Sequence, residues 1–279
     1  MLVKGVRNEL FAALVERLQG LVNNTPYTLL VDYFDEDTDE VQRAITLCAE
    51  IKPQGILFLG GNADNFKRSF GRITLPAVLV TSPAEGLDYP NLSSVTTDDF
   101  EASVQAVRVL LEYGHRHIAI IGGRPSFSDV SGQRFAGGRA AFVQSGLPAE
   151  HLVEYGEARF CYEEGYQAMH HVLEEHPEIT AAYAIADVVA IGAMRAAQDA
   201  GRTVGKDLSI IGFDGLALGE YLTPRLATIG QSVERLAREA TGTLLDAIEN
   251  GAPARRVTVP FTVISGESVG LGPGAQAKM

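Results

Sequence analysis

The chain has 279 residues, of which 46% are hydrophobic and 21% are charged, and its formal net charge at pH 7 is -12. This length and composition suit one large or two medium globular domains and exclude a chain disordered as a whole. The acidic surface disfavours direct contact with DNA, RNA or an anionic membrane, because lysines and arginines cluster no further than pairs such as Arg255-Arg256.

The two cysteines, Cys48 and Cys161, stand far apart and form no CxxC pair, which argues against a disulfide framework or a zinc site. Cys48 falls on an apolar helical face and is predicted to be a core thiol. No apolar run approaches the length of a membrane span, and the start of the chain lacks a signal-peptide core. We therefore expect a cytoplasmic protein with no membrane partner.

Strands and helices alternate along the first part of the chain. Asp37 and Glu40 are predicted to form a capping pair at the start of a helix whose apolar residues recur at helical spacing. The predicted elements are strands at Met1–Lys4, Tyr27–Tyr33, Gly55–Leu59 and Ala77–Thr81, and helices at Asn8–Gly20 and Asp37–Ile51.

The alternation continues through the rest of the chain. Asp98-Asp99 is predicted to cap the next helix, and Gly114 to end it in the left-handed conformation. The predicted helices are Phe100–Tyr113, Gly132–Gln144, Tyr162–Glu175, Val188–Asp199 and Val233–Asn250. The predicted strands are Ser93–Thr97, His117–Gly122, Leu152–Tyr155, Ala181–Ala186, Leu208–Phe213, Leu226–Gln231 and Val257–Ile264, and Gly270–Met279 is predicted to be frayed.

This alternation predicts βαβ units and an α/β fold with parallel sheets. Two sets of strand–helix units follow each other, which is more than one ordinary sheet needs. We therefore predict two doubly wound sheets side by side, with a ligand site in the cleft between them.

Motifs for nucleotide binding and catalysis are absent from the sequence. Gly132–Gly138 has a GxxxxG spacing, but Gly138 stands where a phosphate loop requires lysine. The sequence has neither a GxSxG elbow nor an HExxH motif. His170 and His171 are adjacent, so they point in different directions on a helix and do not form a metal pair. We expect no cofactor, no metal and no enzymatic activity.

Asp214 follows the strand Leu208–Phe213, at the edge where open α/β sheets bind their ligands. Its carboxylate is interpreted either as an acceptor for ligand hydrogen bonds or as a group that shapes the turn. Gln231 ends a strand on the same edge and offers both a donor and an acceptor. Asp187 is predicted to be a helix N-cap first and a ligand contact second.

Arg134 lies near the start of a predicted helix, close to the same sheet edge as Asp214. It is either an exposed arginine without a role or a residue whose charge is compensated by a ligand or a carboxylate, because arginine at a helix start opposes the helix dipole. The guanidinium only donates hydrogen bonds and Asp214 only accepts them. Together they are predicted to clamp vicinal hydroxyls of a polyol or the edge of a purine.

Four stretches, taken in order, are similar to one family. Val95–Gly122 resembles the pattern V..DN…GH..IA.I.G, and Gln133–Phe142 resembles eR..G...a. Ala184–Arg195 resembles A.nD..A.Gam, and Leu208–Gly215 with Leu226–Gln231 resembles isi.GfD…l.TI.Q. These are marks of the LacI/GalR family of bacterial transcription regulators, and the resemblance covers nearly the whole chain.

The resemblance implies a periplasmic-binding-protein-like core of two subdomains joined by three crossovers, at residues 1–115 with 231–260 and residues 116–230 with 261–279. It also implies a small sugar or nucleobase effector in the cleft. The effector-contact positions matched are Leu10, Phe11, Ser128, Val130, Arg134, Asp214 and Gln231. Ala186 departs from the pattern, which has asparagine there, so one polar contact is absent.

The resemblance further implies a homodimer and a repressor that binds operator DNA through a helix-turn-helix headpiece. The sequence contains no headpiece or hinge, and we expect a shortened form of a longer regulator. Two other hypotheses remain open from the residues: a transport-type periplasmic sugar-binding protein, which the missing signal peptide disfavours, and an α/β enzyme, which the missing catalytic residues disfavour.

Overall fold

The computed structural model describes residues 1–5, 8–123 and 129–276. The chain divides into two compact units, Met1–Thr97 with Ser232–Pro260 and Asp98–Gln231 with Phe261–Met279. It therefore crosses between the units three times, as the resemblance implies. The first crossing follows Thr97, whereas the sequence placed it at residue 115. The difference is one helix, Asp99–Glu112, which packs against helix and strand neighbours of the second unit.

The first unit contains a six-stranded sheet among its described residues, and all neighbouring strands in it run parallel. Its strands are β1 Leu2–Lys4, β2 Asp32–Phe34, β3 Ile56–Leu59, β4 Ala77–Val80, β5 Leu92–Thr97 and β11 Arg256–Val259. Their order in the sheet is β11-β5-β4-β3-β1-β2. Its helices are α1 Glu9–Val22, α2 Glu40–Ile51, α3 Ala63–Ser69 and α8 Val233–Asn250.

The predicted strand Tyr27–Tyr33 is wrong over most of its length. Only Asp32–Phe34 forms a strand, because its neighbour β1 is three residues long and pairs Leu2 with Asp32 and Lys4 with Phe34. The preceding residues Tyr27–Val31 instead line an apolar cavity of about 580 Å³ within the first unit.

The second unit contains a six-stranded sheet among its described residues. Its strands are β6 Ile118–Ile121, β7 Leu152–Tyr155, β8 Ala181–Ala184, β9 Ser209–Asp214, β10 Ala227–Gly230 and β12 Thr262–Ile264. Their order is β12-β10-β9-β8-β6-β7, with β12 antiparallel to β10 and the other pairs parallel. Its helices are α4 Asp99–Glu112, α5 Asp129–Gln144, α6 Tyr162–Glu175, α7 Asp187–Asp199 and α9 Pro273–Gln276. Apolar side chains cover both faces of this sheet, which is typical of parallel strands in an α/β fold.

Two predictions at the end of the chain are wrong. Val257–Ile264 is not one strand, because the third crossing divides it into β11 of the first sheet and β12 of the second. The described part of Gly270–Met279 is not frayed. Its backbone binds the second unit through hydrogen bonds from Gly272 N to Tyr113 O and from Gly270 N to Ser209 Oγ.

The helix ends largely follow the predicted capping chemistry. Asp98 caps α4 by accepting from Glu101 N, and Gly114 follows that helix with φ of +89°. The cap of α2 is Asp39 rather than the predicted Asp37, since Asp39 accepts from Val41 N and Gln42 N. Within the described residues, no helix is both long and apolar enough to cross a membrane.

Candidate functional site

Polar side chains converge at the carboxyl edge of the second sheet, where β9 ends at Asp214. Asp214 is only 5% exposed and has φ of +120°, a conformation that residues other than glycine rarely adopt. Gly215, with φ of +76°, continues the turn. Strained backbone of this kind costs of order 1–3 kcal/mol and is typical of functional sites. The strand end therefore holds a carboxylate in a position that packing alone does not require.

Arg134 reaches this edge from the first turns of α5 and is 3% exposed. Its Nη1 donates to Ile185 O at 2.6 Å and lies 3.5 Å from Asp214 Oδ1. Its guanidinium carbon lies 3.7 Å from the ring centroid of Phe213, so the ring covers one face of the guanidinium. The predicted compensation of the Arg134 charge is thus provided by carboxylates of the protein.

From the sequence, Asp99 is predicted only to cap a helix. Because Asp98 supplies the cap, the Asp99 side chain is free to turn inward, where Oδ1 accepts from Arg134 Nε at 2.8 Å. Asp99 is 6% exposed. A second acidic residue directly after an N-cap is the only signal in the sequence for this role.

Gln231 joins the same group, as predicted. It lies at the end of β10, is 7% exposed, and donates from Nε2 to Asp214 Oδ1 at 2.9 Å. The structure therefore brings together three of the predicted site residues and adds Asp99. We refer to Asp99, Arg134, Asp214 and Gln231 as the Arg134 cluster.

Asp187 does not cap α7, because the N-cap position is Ala186 and no side chain bonds there. Its fully buried carboxylate instead accepts from Leu216 N at 2.7 Å and from Thr228 Oγ1 at 2.6 Å. Gly212 makes this possible, since a Cβ there would lie 2.1 Å from Asp187 Oδ1. Asp187 thus ties the loop after β9 to β10, behind the Arg134 cluster.

Burial governs the protonation of these acids. It raises the pKa of Asp214 to about 6, although Arg134 and Gln231 act in the opposite direction. Burial, and then the charge of Asp214, raise the pKa of Asp187 to about 8. Burial also raises the pKa of Asp99. Burial lowers the pKa of Arg134, but the carboxylates of Asp99 and Asp214 outweigh it, so Arg134 remains charged.

Four predicted contact residues remain: one on α5, two on a helix of the first unit and one outside the described residues. Val130 is on α5, one turn before Arg134, and is 9% exposed. Leu10 and Phe11 belong to α1 of the first unit and are buried there. Ser128 lies outside the described residues. The roles of these four in ligand binding stay predictions.

The cluster leaves a complementary pair of atoms for a ligand. Among the described residues, no hydrogen-bond partner is present for Asp214 Oδ2 or for Arg134 Nη2. The carboxylate oxygen accepts and the guanidinium nitrogen donates. A group that both donates and accepts, such as a hydroxyl, satisfies both atoms. Within the described residues, no group of three or more histidine, cysteine or acidic side chains is arranged to hold a metal ion.

Comparison with known proteins agrees with this architecture. Residues 107–269 match the family model of the periplasmic binding protein-like domain. The chain is 30% identical over 278 residues to the HTH-type transcriptional regulator MalR of Clostridium butyricum, covering 96% of this chain and 80% of MalR. It is also 30% identical over 268 residues to the HTH-type transcriptional repressor PurR of Erwinia tasmaniensis, covering 94% and 77%.

A solved structure gives the same result. The LacI family transcriptional regulator CCPA of Weissella paramesenteroides, with bound sucrose, superposes with a TM-score of 0.80 at 25% identity, covering 97% of this chain and 99% of that one. The family match, the identity and the fold agree with the motifs read from the sequence. The chain therefore belongs to the LacI family of transcriptional regulators and forms its periplasmic-binding-protein-like core.

Proposed function

We propose that the Arg134 cluster binds a small polar effector of the sugar or nucleobase class. The observation that carries this proposal is Asp214, a buried carboxylate on strained backbone whose Oδ2 has no hydrogen-bond partner among the described residues. An acceptor oxygen and a guanidinium nitrogen in one cluster, both without a protein partner among the described residues, suit a ligand group that both donates and accepts. The sucrose bound to the Weissella regulator supports the sugar class.

Effector binding in this core regulates transcription, with the operator contacted by a helix-turn-helix headpiece rather than by these residues. The names of MalR and PurR, both HTH-type regulators, support this role. The formal charge of -12 also opposes DNA contact by the core itself. We propose a repressor that acts in the cytoplasm, by sensing a ligand rather than by catalysis.

The core functions as a homodimer. Large apolar side chains that are exposed in the second unit support an interface there, notably Tyr221 at 81% and Leu218 at 40% exposure. Light scattering at tens of micromolar protein should give twice the mass of one chain. A monomer at that concentration contradicts the dimer.

A thermal-shift screen of sugars and nucleobases tests the effector proposal. A ligand that binds only the folded protein at about 100 times its dissociation constant stabilises it by about 2.7 kcal/mol, which raises the melting temperature. Asp214→Asn should lose most of that shift because the carboxylate acceptor is removed. Asp199→Asn is the matched control, since Asp199 lies on the surface with Arg195. Equal shifts in the wild type and both variants place the ligand elsewhere.

A further inference from the structure

The first unit contains a cavity of about 580 Å³ that the proposed function does not use. All of its lining residues belong to the first unit, whereas the Arg134 cluster belongs to the second. Side chains of α1, α2 and α8 form its walls, and the buried first residues of β1 and β3, Leu2 and Ile56, form its base. The cavity therefore lies at the amino edge of the first sheet, opposite the edge at which open α/β sheets usually bind ligands.

The size and lining of this cavity are those of a ligand site. Protein interiors are packed as densely as organic crystals, so voids larger than a water molecule are few. Small-molecule sites occupy about 300–1,000 Å³ and are lined mainly by apolar side chains with a small number of polar groups. The walls are mainly apolar, and Leu30 and Ile51 extend the apolar lining to the surface, where they are 57% and 46% exposed. The cavity thus suits a small apolar molecule.

Thr241 adds a polar group to the wall that α8 forms. It is 7% exposed, and its Oγ1 has no hydrogen-bond partner among the described residues. A buried hydroxyl without a partner destabilises a fold, and valine would fill the same space without that penalty. Threonine adopts two side-chain rotamers in helices, so rotation about χ1 can turn the hydroxyl toward the cavity. A hydroxyl or carbonyl group of a ligand would then complete its hydrogen bonding.

The charges around the cavity favour an uncharged ligand. Both α1 and α2 end at the cavity, and the partial negative charge at helix carboxyl ends repels anions. Asp32 also lines it, but Arg43 already balances that carboxylate through hydrogen bonds of 2.7 and 2.9 Å. Cys48 packs against the core of the first unit, as predicted, and lines the cavity as well. Burial raises the pKa of its thiol, which therefore stays neutral.

We propose that this cavity is a second binding site, for an uncharged and largely apolar small molecule with one hydroxyl or carbonyl group, and that Thr241 Oγ1 bonds that group. An aromatic alcohol has this chemistry. The inference goes beyond the proposed function, because it concerns other residues and another class of ligand. It stands or fails independently of effector binding at the Arg134 cluster.

2-Naphthol serves as the probe, because it joins two fused aromatic rings to one hydroxyl. We expect saturable binding of one 2-naphthol per chain in isothermal titration calorimetry. 2-Naphthoate has the same rings but a carboxylate, which must be buried without a cation beside two helix carboxyl ends. It should bind at least ~10-fold more weakly. The absence of saturable 2-naphthol binding overturns the inference, as does equal binding of the two probes.

Thr241→Val tests the hydroxyl without changing the shape of the side chain. Because one neutral hydrogen bond is lost, the affinity for 2-naphthol should fall by about 2- to 10-fold, while the fold is retained. Thr46→Val is the matched control, since Thr46 lies on the exposed face of α2. It should leave the affinity unchanged. Equal affinities of the wild type and Thr241→Val overturn the assignment of Thr241.

Alkylation by iodoacetamide locates the bound probe. The chain has two cysteines, Cys48 at the cavity and Cys161 in the second unit, and both are half-buried. Saturating 2-naphthol should slow alkylation of Cys48 and leave that of Cys161 unchanged, as measured by mass spectrometry. Binding without protection of Cys48 places the probe elsewhere and overturns the inference. Protection of Cys48 that increases with protein concentration, and not with 2-naphthol, assigns the cavity to contact with a second copy and also overturns it.

Discussion

At the carboxyl edge of each of the two sheets, buried carboxylates lie beside a basic side chain. The two groups differ in how completely the carboxylate oxygens are hydrogen-bonded. In the first unit, Glu40 is fully buried and accepts from Lys4 Nζ at 2.6 Å, from Asn62 N at 2.6 Å and from Asn65 Nδ2 at 3.0 Å. In the second unit, Asp214 keeps one oxygen without a partner among the described residues.

The backbone conformation also differs between the two groups. Glu40 opens a regular helix, whereas Asp214 ends a strand at φ of +120°. A complete set of hydrogen bonds around one acid and one base stabilises a fold. The Arg134 cluster has an incomplete set of hydrogen bonds, a strained backbone and more carboxylates than basic groups. These features are instead typical of a binding site. The comparison therefore supports a structural role for the Glu40 group and the proposed role of the Arg134 cluster in ligand recognition.

The largest loss of stability is expected from a substitution at Glu40, whose hydrogen bonds are complete. Glu40→Ala removes one carboxylate from three donors and leaves Lys4, which is 16% exposed, without its partner. We expect a loss of about 3–4 kcal/mol in the free energy of unfolding, measured by urea denaturation. Glu50→Ala on the exposed end of the same helix is the control and should change little. A loss below about 1 kcal/mol would show that the Glu40 group is not structural.

Arg134→Gln is expected to cost about 3 kcal/mol, because two buried carboxylates lose their cation. The same substitution in the Asp99→Asn/Asp214→Asn background should cost less than about 1 kcal/mol, since no charge is then left unpaired. Urea denaturation of the four proteins completes a double-mutant cycle. Equal costs in the two backgrounds contradict the charge coupling within the Arg134 cluster.

A smaller effect is expected in the pH dependence of the free energy of unfolding. Folded Asp187 keeps its proton up to about pH 8, while the unfolded chain releases it near the ordinary value of 3.8. The folded state binds more protons between these values, so stability falls as the pH rises through this window. Between pH 5 and 7 the wild type should lose about 2 kcal/mol more than Asp187→Asn. Parallel pH profiles of the two proteins would show that Asp187 does not titrate in this way.

Much of the fold was predictable because local signals and the tertiary structure agree. The predicted bounds of Leu152–Tyr155, Tyr162–Glu175 and Val233–Asn250 coincide with β7, α6 and α8. Local sequence patterns predict strands wrongly where strand formation depends on a pairing partner elsewhere in the chain. Tyr27–Val31 has strand propensity but pairs with no strand in the described part of the chain, and the run from Val257 to Ile264 is divided between two sheets.

The residues of the candidate site were predicted in part for the same reason. Arg134, Asp214 and Gln231 follow from the rule that parallel strands present their carboxyl ends at one edge. Asp99 and the true role of Asp187 did not follow, since both acids look like caps and only tertiary contacts reveal their partners. Gly212 could have predicted the inward position of Asp187, because a glycine in a buried strand indicates that another group approaches closely.

The most direct measurement is a crystal structure of the protein with a sugar or nucleobase identified by the thermal-shift screen. We predict an uncharged donor group of the ligand within about 3 Å of Asp214 Oδ2, and an acceptor at a similar distance from Arg134 Nη2. A ligand bound without contact to either residue would contradict the assignment of the Arg134 cluster as the recognition site.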